Sequence, residues 1–74
     1  MPSPDRRRAL ELLANSPNGC TEAVLLAYGL SRELLVDLID DGFATASAER
    51  GRARGHEIEI TRVRITVAGR RAIA

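Results

Sequence analysis

Seventy-four residues, 45% of them hydrophobic, suffice for one domain around one small core, of a size that rarely contributes more than about 3–5 kcal/mol. A single cysteine excludes an internal disulfide. The basic opening M-P-S-P-D-R-R-R lacks the apolar segment of a signal peptide, and the longest apolar run, Ala23 to Tyr28, is too short to span a bilayer, so a cytoplasmic protein is expected.

In chain order, the first helix is expected to start at Ser3, with Pro4 in a first-turn position it tolerates and Asp5 at the positive end of the dipole. Residues 1–3 are expected to be flexible. Ala9, Leu10 and Leu13 form its apolar stripe, and S-P-N-G at 16–19 ends it. A second helix follows Thr21, an N-cap; being apolar from Ala23 to Tyr28, it is expected to be buried nearly all round. Gly29 breaks the chain, Ser31 caps a third helix, and Gly42 closes that one. Its Leu34, Leu35, Leu38 and Ile39 face inward, leaving Arg32, Glu33, Val36, Asp37 and Asp40 outside. Two helices meeting at a Gly turn over 21–42 make a helix-turn-helix motif.

After Gly42 the period shortens. Phe43 to Ala48 is a short strand, and Ile58, Ile60, Val63 and Ile65 alternate as in a second one. The parity shift between Ile60 and Val63 predicts a bulge near Thr61 and Arg62. Between the strands, E-R-G-R-A-R-G-H is expected to be a mobile loop from Glu49 to Glu57. Leu10, Leu13, Val24, Leu25, Leu34, Leu35, Leu38, Phe43, Ile58, Val63 and Ile65 are the expected core.

This order of elements, with L-V-D-L-I-D-D-G-F running from a helix into a strand and I-T-V-A-G-R-R-A-I closing the chain, resembles small bacterial winged-helix proteins of transcriptional-regulator type over residues 6 to 74. The resemblance implies an α+β winged helix: a three-helix core, a two-stranded wing over 43–65 and a short C-terminal helical turn, all within one domain spanning 4–74. It specifies the fold more than the activity, because function resides in sites grafted on folds.

Eleven basic residues, all arginine, against ten acidic ones give a net charge of +1, but the distribution is uneven. Residues 21–42 set Arg32 against Glu22, Glu33, Asp37, Asp40 and Asp41, a balance of −4. Residues 43–74 set seven arginines against Glu49, Glu57 and Glu59, a balance of +4. In winged-helix regulators the third helix enters the major groove, yet here only Arg32 is basic, and Glu33, Asp37 and Asp40 would face phosphates. The basic loop is the better candidate: Arg50, Arg52 and Arg54 could enter a minor groove or clasp phosphates, and Arg62 and Arg64 would extend that patch from a neighbouring strand.

Two functions follow. One is double-stranded DNA binding through the Arg-rich wing, as in a transcriptional regulator. The other is a protein-interaction or self-association module using Glu33, Val36, Asp37 and Asp40, in which a partner protein or a second copy covers the acidic helix. Solvation of both surfaces is the plain alternative. Arg6, Arg7 and Arg8 make a further basic run, and Arg70 and Arg71 occupy polar positions near the end. No nucleophile–base pair, zinc spacing or phosphate loop is present, so neither an enzyme nor a cofactor, metal or small-molecule ligand is expected. His56 stands in the exposed loop, and Cys20 reads as a small buried residue. Tyr28 and Phe43 are assigned to the core, which leaves no base-stacking platform.

Overall fold

The computed structural model describes residues 4–74; the N-terminal residues expected to be flexible, with the Ser3 cap, lie outside the described residues. The first helix, α1 (Pro4–Ala14), buries Ala9, Leu10 and Leu13. It ends where Ser16 folds back, its Oγ donating to the Leu12 carbonyl at 3.1 Å. Gly19, at φ +81°, turns the chain into a two-residue strand, β1 (Cys20–Thr21). Thr21 then caps α2 (Glu22–Ala27), accepting from the Val24 N–H at 3.4 Å, and Ser31 caps α3 (Arg32–Asp40), accepting from the Leu34 N–H at 3.1 Å.

Both helices leave through the same device. Gly29 N–H donates to Leu26 O and Leu30 N–H to Leu25 O, while Gly42 N–H donates to Ile39 O and Phe43 N–H to Leu38 O. These paired bonds around a glycine of positive φ (+90° and +78°) are Schellman closures, which satisfy the last carbonyls of a helix. The glycine signals in the sequence thus have a geometric basis.

The strands β2 (Ala44–Ala53) and β3 (His56–Ile65) form an antiparallel hairpin, and β1 pairs with β3, giving a three-stranded sheet in the order β1-β3-β2. The fold is therefore α+β, with a fourth helix, α4 (Val67–Ala72), capped by Thr66. The Thr66 hydroxyl accepts from Gly69 N–H at 3.0 Å and donates to Gly42 O at 2.6 Å, tying α4 to the end of α3. Gly69 is buried with its Cα against the Phe43 carbonyl, where a Cβ would collide.

Several sequence expectations are corrected. The segment from Glu49 to Glu57 is no loop: pairing runs without a break from Ala44↔Ile65 to Ala53↔His56, and only Arg54 and Gly55 form the turn. Both have positive φ, +53° and +80°, as the tight turn matching strand twist requires. The bulge near Thr61 and Arg62 is absent for the same reason. With parity unbroken, Val63 and Ile65 face the helices while Ile58 and Ile60 face away from them. Ile58 is accordingly 41% exposed, and Ile60 lies over Gly51, which offers it a flat surface.

The core is Ala9, Leu10, Leu13, Leu25, Leu30, Leu35, Leu38, Ala44 and Val63, with Leu34, Phe43 and Ile65 half-buried against it. Val24 at 44% and Tyr28 at 52% exposure do not join it. In a helix of six residues only one stripe can face inward, and of α2 only Leu25 is buried.

Candidate nucleic-acid interface

The hairpin's two faces differ in kind, because successive residues on a strand point to opposite sides. The face toward the helices runs Ala44, Ala46, Ala48, Arg50, Arg52 on β2, opposite Ile65, Val63, Thr61, Glu59, Glu57 on β3. The face away from the helices runs Thr45, Ser47, Glu49, Gly51, Ala53, opposite Arg64, Arg62, Ile60, Ile58, His56. Arg62 and Arg64 therefore do not extend a patch containing Arg50 and Arg52. The two pairs look in opposite directions.

On the helix-free face, Arg64 stands opposite Thr45 and Arg62 opposite Ser47. Adjacent strands are about 4.8 Å apart and alternate residues on a strand about 7 Å, so two guanidinium groups and two hydroxyls share one compact block. Thr45, Ser47 and Arg64 are exposed. Arg62 is half-buried and oriented by its surroundings: its Nε donates to Glu49 Oε1 at 2.9 Å and its Nη1 to the Asn18 carbonyl at 3.4 Å. Gly19 borders the block, with its Cα against the Arg62 and Arg64 stems and the Val63 carbonyl, so that a side chain there would displace both arginines. Arg64 makes no ion pair among the described residues. Arg54 occupies the turn itself, exposed and likewise without an ion pair among the described residues.

The remaining candidates are placed elsewhere. Arg50 lies toward Glu57, at 3.8 Å and widely exposed, and Arg52 next to it has no ion-pair partner among the described residues. Because Glu57 and Glu59 share their face, it carries little net charge. Arg32 opens α3 and binds Glu22 Oε1 through its Nε at 3.0 Å. Glu33, Asp37 and Asp40 are exposed on α3 and without ion pairs among the described residues. Val36 lies on another flank of that helix, 53% exposed beside a cleft with Ile39 and Ala46.

The N-terminal arginines hold structure together. Arg6 pairs with Asp41, Arg7 bonds Glu11 at 3.0 Å and the Ile73 carbonyl at 3.2 Å, and Arg8 donates to the Tyr28 carbonyl at 3.3 Å. Arg70 and Arg71 are exposed in the last turn of α4, where a cation favours the dipole. His56 is exposed beside the turn. Cys20 is half-buried with its Sγ 3.0 Å from Ser16 Oγ. No cluster of His, Cys, Asp and Glu suited to a metal occurs among the described residues, and none of their helices is long and apolar enough to cross a membrane.

Thr45 and Ser47 escaped the sequence reading. The signal was present in R-G at 54–55: taken as a two-residue turn, it fixes a register that sets A-T-A-S-A against T-R-V-R-I. Three comparisons, with protein-family models, curated proteins and solved structures, return no match to this chain.

Proposed function

We propose that the chain is a winged-helix DNA-binding protein that holds a duplex by its phosphates, with the β2–β3 hairpin as its wing. The order helix, strand, helix, helix, strand, strand and the sheet order β1-β3-β2 support the winged-helix reading and agree with the resemblance in the sequence. The observation that carries the function is the donor block Thr45, Ser47, Arg62 and Arg64, together with Arg54 at the wing tip. Guanidinium and hydroxyl groups on one exposed face suit phosphate oxygens, and such contacts position a protein without reading sequence. A candidate recognition helix bearing Glu33, Asp37 and Asp40 is repelled by the same phosphates, so α3 stays out of the groove. The expected mode is weak, salt-dependent and largely sequence-independent.

Anisotropy titration of a labelled duplex over a range of salt concentrations tests this. Three arginine contacts give log K against log salt a slope of about −3, since each neutralised phosphate contributes about −0.9. Arg64→Ala and Arg54→Ala should each flatten the slope by about 0.9 and weaken binding to all sequences alike. Arg50→Ala, on the opposite face, should leave the slope unchanged. Absence of duplex binding at about 20 mM salt, where the Debye length exceeds about 20 Å, overturns the proposal.

A further inference from the structure

The outer edge of β2 has no neighbour in the sheet among the described residues. A two-residue turn closes on a hydrogen-bonded pair, and residues then alternate between bonding and non-bonding positions. Ala53, Gly51, Glu49, Ser47 and Thr45 therefore bond to β3, an alternation that continues in the Thr66 N–H to Phe43 O bond of 3.0 Å. The backbone N–H and C=O groups of Ala46, Ala48, Arg50 and Arg52 point outward on an exposed edge instead, while Ala44, 2% exposed, is covered. An edge this long is a template for another strand, and natural proteins blunt such edges with prolines, bulges, charges or cover. β2 contains no proline, its register is unbroken and the side chains of its first five residues are small; its charges, Glu49, Arg50 and Arg52, lie toward the turn, and its cover is at Ala44.

A second feature lies beside that edge. α3 ends in Asp40 and Asp41 at the negative pole of its dipole, with no basic residue in its last turn. Asp41 takes Arg6 as partner, whereas Asp40 has none among the described residues. Further back along α3, Val36, Ile39 and Ala46 line an open cleft of about 140 Å³ between α3 and the sheet, with the paired Glu22 and Arg32 also in its lining. Arg52, exposed and without an acidic partner among the described residues, lies on the same sheet face further along β2.

We infer that β2 is a dimerisation edge, on which a second copy of this chain pairs its own β2 antiparallel and lays its Arg50 and Arg52 against α3. A two-fold axis normal to the sheet keeps the helix-bearing faces of both copies on one side, and the outward-bonding residues then pair with one another. An axis through Glu49 or Arg50 sets like charges opposite each other and is disfavoured. An axis at Ala48 pairs Ala46 with the partner's Arg50 on the open edge and brings the partner's Arg52 to its covered end beside Ala44, four residues after Asp40. Ala46, small and exposed, leaves room for the first stem, which the cleft at Val36 and Ile39 receives, and Asp40 with the helix terminus receives the charge of the second. The six-stranded sheet that results shows the donor blocks of both copies on its helix-free side.

Sedimentation velocity without DNA tests this apart from the DNA reading, so either can fail alone. The wild-type chain should be dimeric at about 100 μM and dissociate on dilution, as mass action requires. Ala46→Pro removes an N–H that no bond within the chain uses, so it should keep the native circular-dichroism spectrum and raise Kd by about tenfold or more. Asp40→Arg and Arg52→Asp, both on exposed positions, should each weaken the dimer several-fold, and the two together should restore it. A monomeric wild type, a folded Ala46→Pro protein that dimerises undiminished, or a double variant no tighter than the single ones overturns the proposal.

Discussion

The hairpin is one ladder with two very different ends. At the body end Ala44 and Val63 are 2% exposed, Ile65 packs on the core, and the Thr66 hydroxyl joins the strand exit to the end of α3. From Arg50 to Glu59, in the same register, nothing is buried, and only Gly51 is half-covered, beneath Ile60. A ten-residue strand spans about 33 Å, more than the 22 and 21 Å short axes of the molecule, so the hairpin stands off along the 44 Å axis. The distal end is held by backbone bonds worth about 0.5–1.5 kcal/mol net each and by its turn, and a two-stranded ribbon alone is marginal in water. A protein can thus place binding groups on a segment that opens locally while the body stays folded.

The contrast predicts where substitutions hurt. Leu38→Ala should be the most damaging, at about 2–5 kcal/mol, because the side chain is fully buried where α3 meets the sheet. For a domain with so little stability in reserve, thermal melting should show a loss of most of the folded state near room temperature. A Leu38→Ala protein with the parental melting temperature would contradict the placement of the core. Gly69→Ala comes next, at about 1–3 kcal/mol, since its Cβ meets the Phe43 carbonyl and the Ile65 side chain on a rigid junction. Denaturant titration should show a lower midpoint at unchanged slope. By contrast, alanine at Ile58, 41% exposed on the distal end, should stay within about 0.5 kcal/mol.

What the sequence disclosed divides along the same line. Thr21, Ser31, Gly29 and Gly42 are local instructions, each acting on backbone groups within a few residues, and the structure obeys all four. The hairpin depends instead on a register set by Arg54 and Gly55. An arginine in the left-handed region is uncommon for that turn, so R-G among other Arg and Gly residues resembled a loop. One misplaced turn then produced the spurious bulge, misassigned Ile58 to the core and merged two arginine pairs that occupy opposite faces. β1, two residues long, is defined only by its pairing with Val63 and Arg62, a contact more than forty positions away, so no local pattern reveals it. The acidic outer surface of α3 was legible because charge needs no register.

The smallest effect sharpens the comparison most. Arg54→Asn replaces an uncommon left-handed residue by one that favours this turn, with Gly55 already in place. Stability gained there should tighten the distal ladder by a few tenths of a kcal/mol and leave the body alone, because packing shields the body from the turn. Hydrogen exchange should slow at Ala53, Gly51 and His56 while the amides of Leu25 and Leu38 keep their rates. The same substitution removes one cation from the wing tip, so duplex binding should lose about 0.9 from its salt slope although the hairpin is better ordered. Opposite signs from one substitution separate the order of the wing from its charge. If the ladder tightens and the slope holds, Arg54 touches no phosphate, and the duplex is held by Arg62 and Arg64 at the wing base.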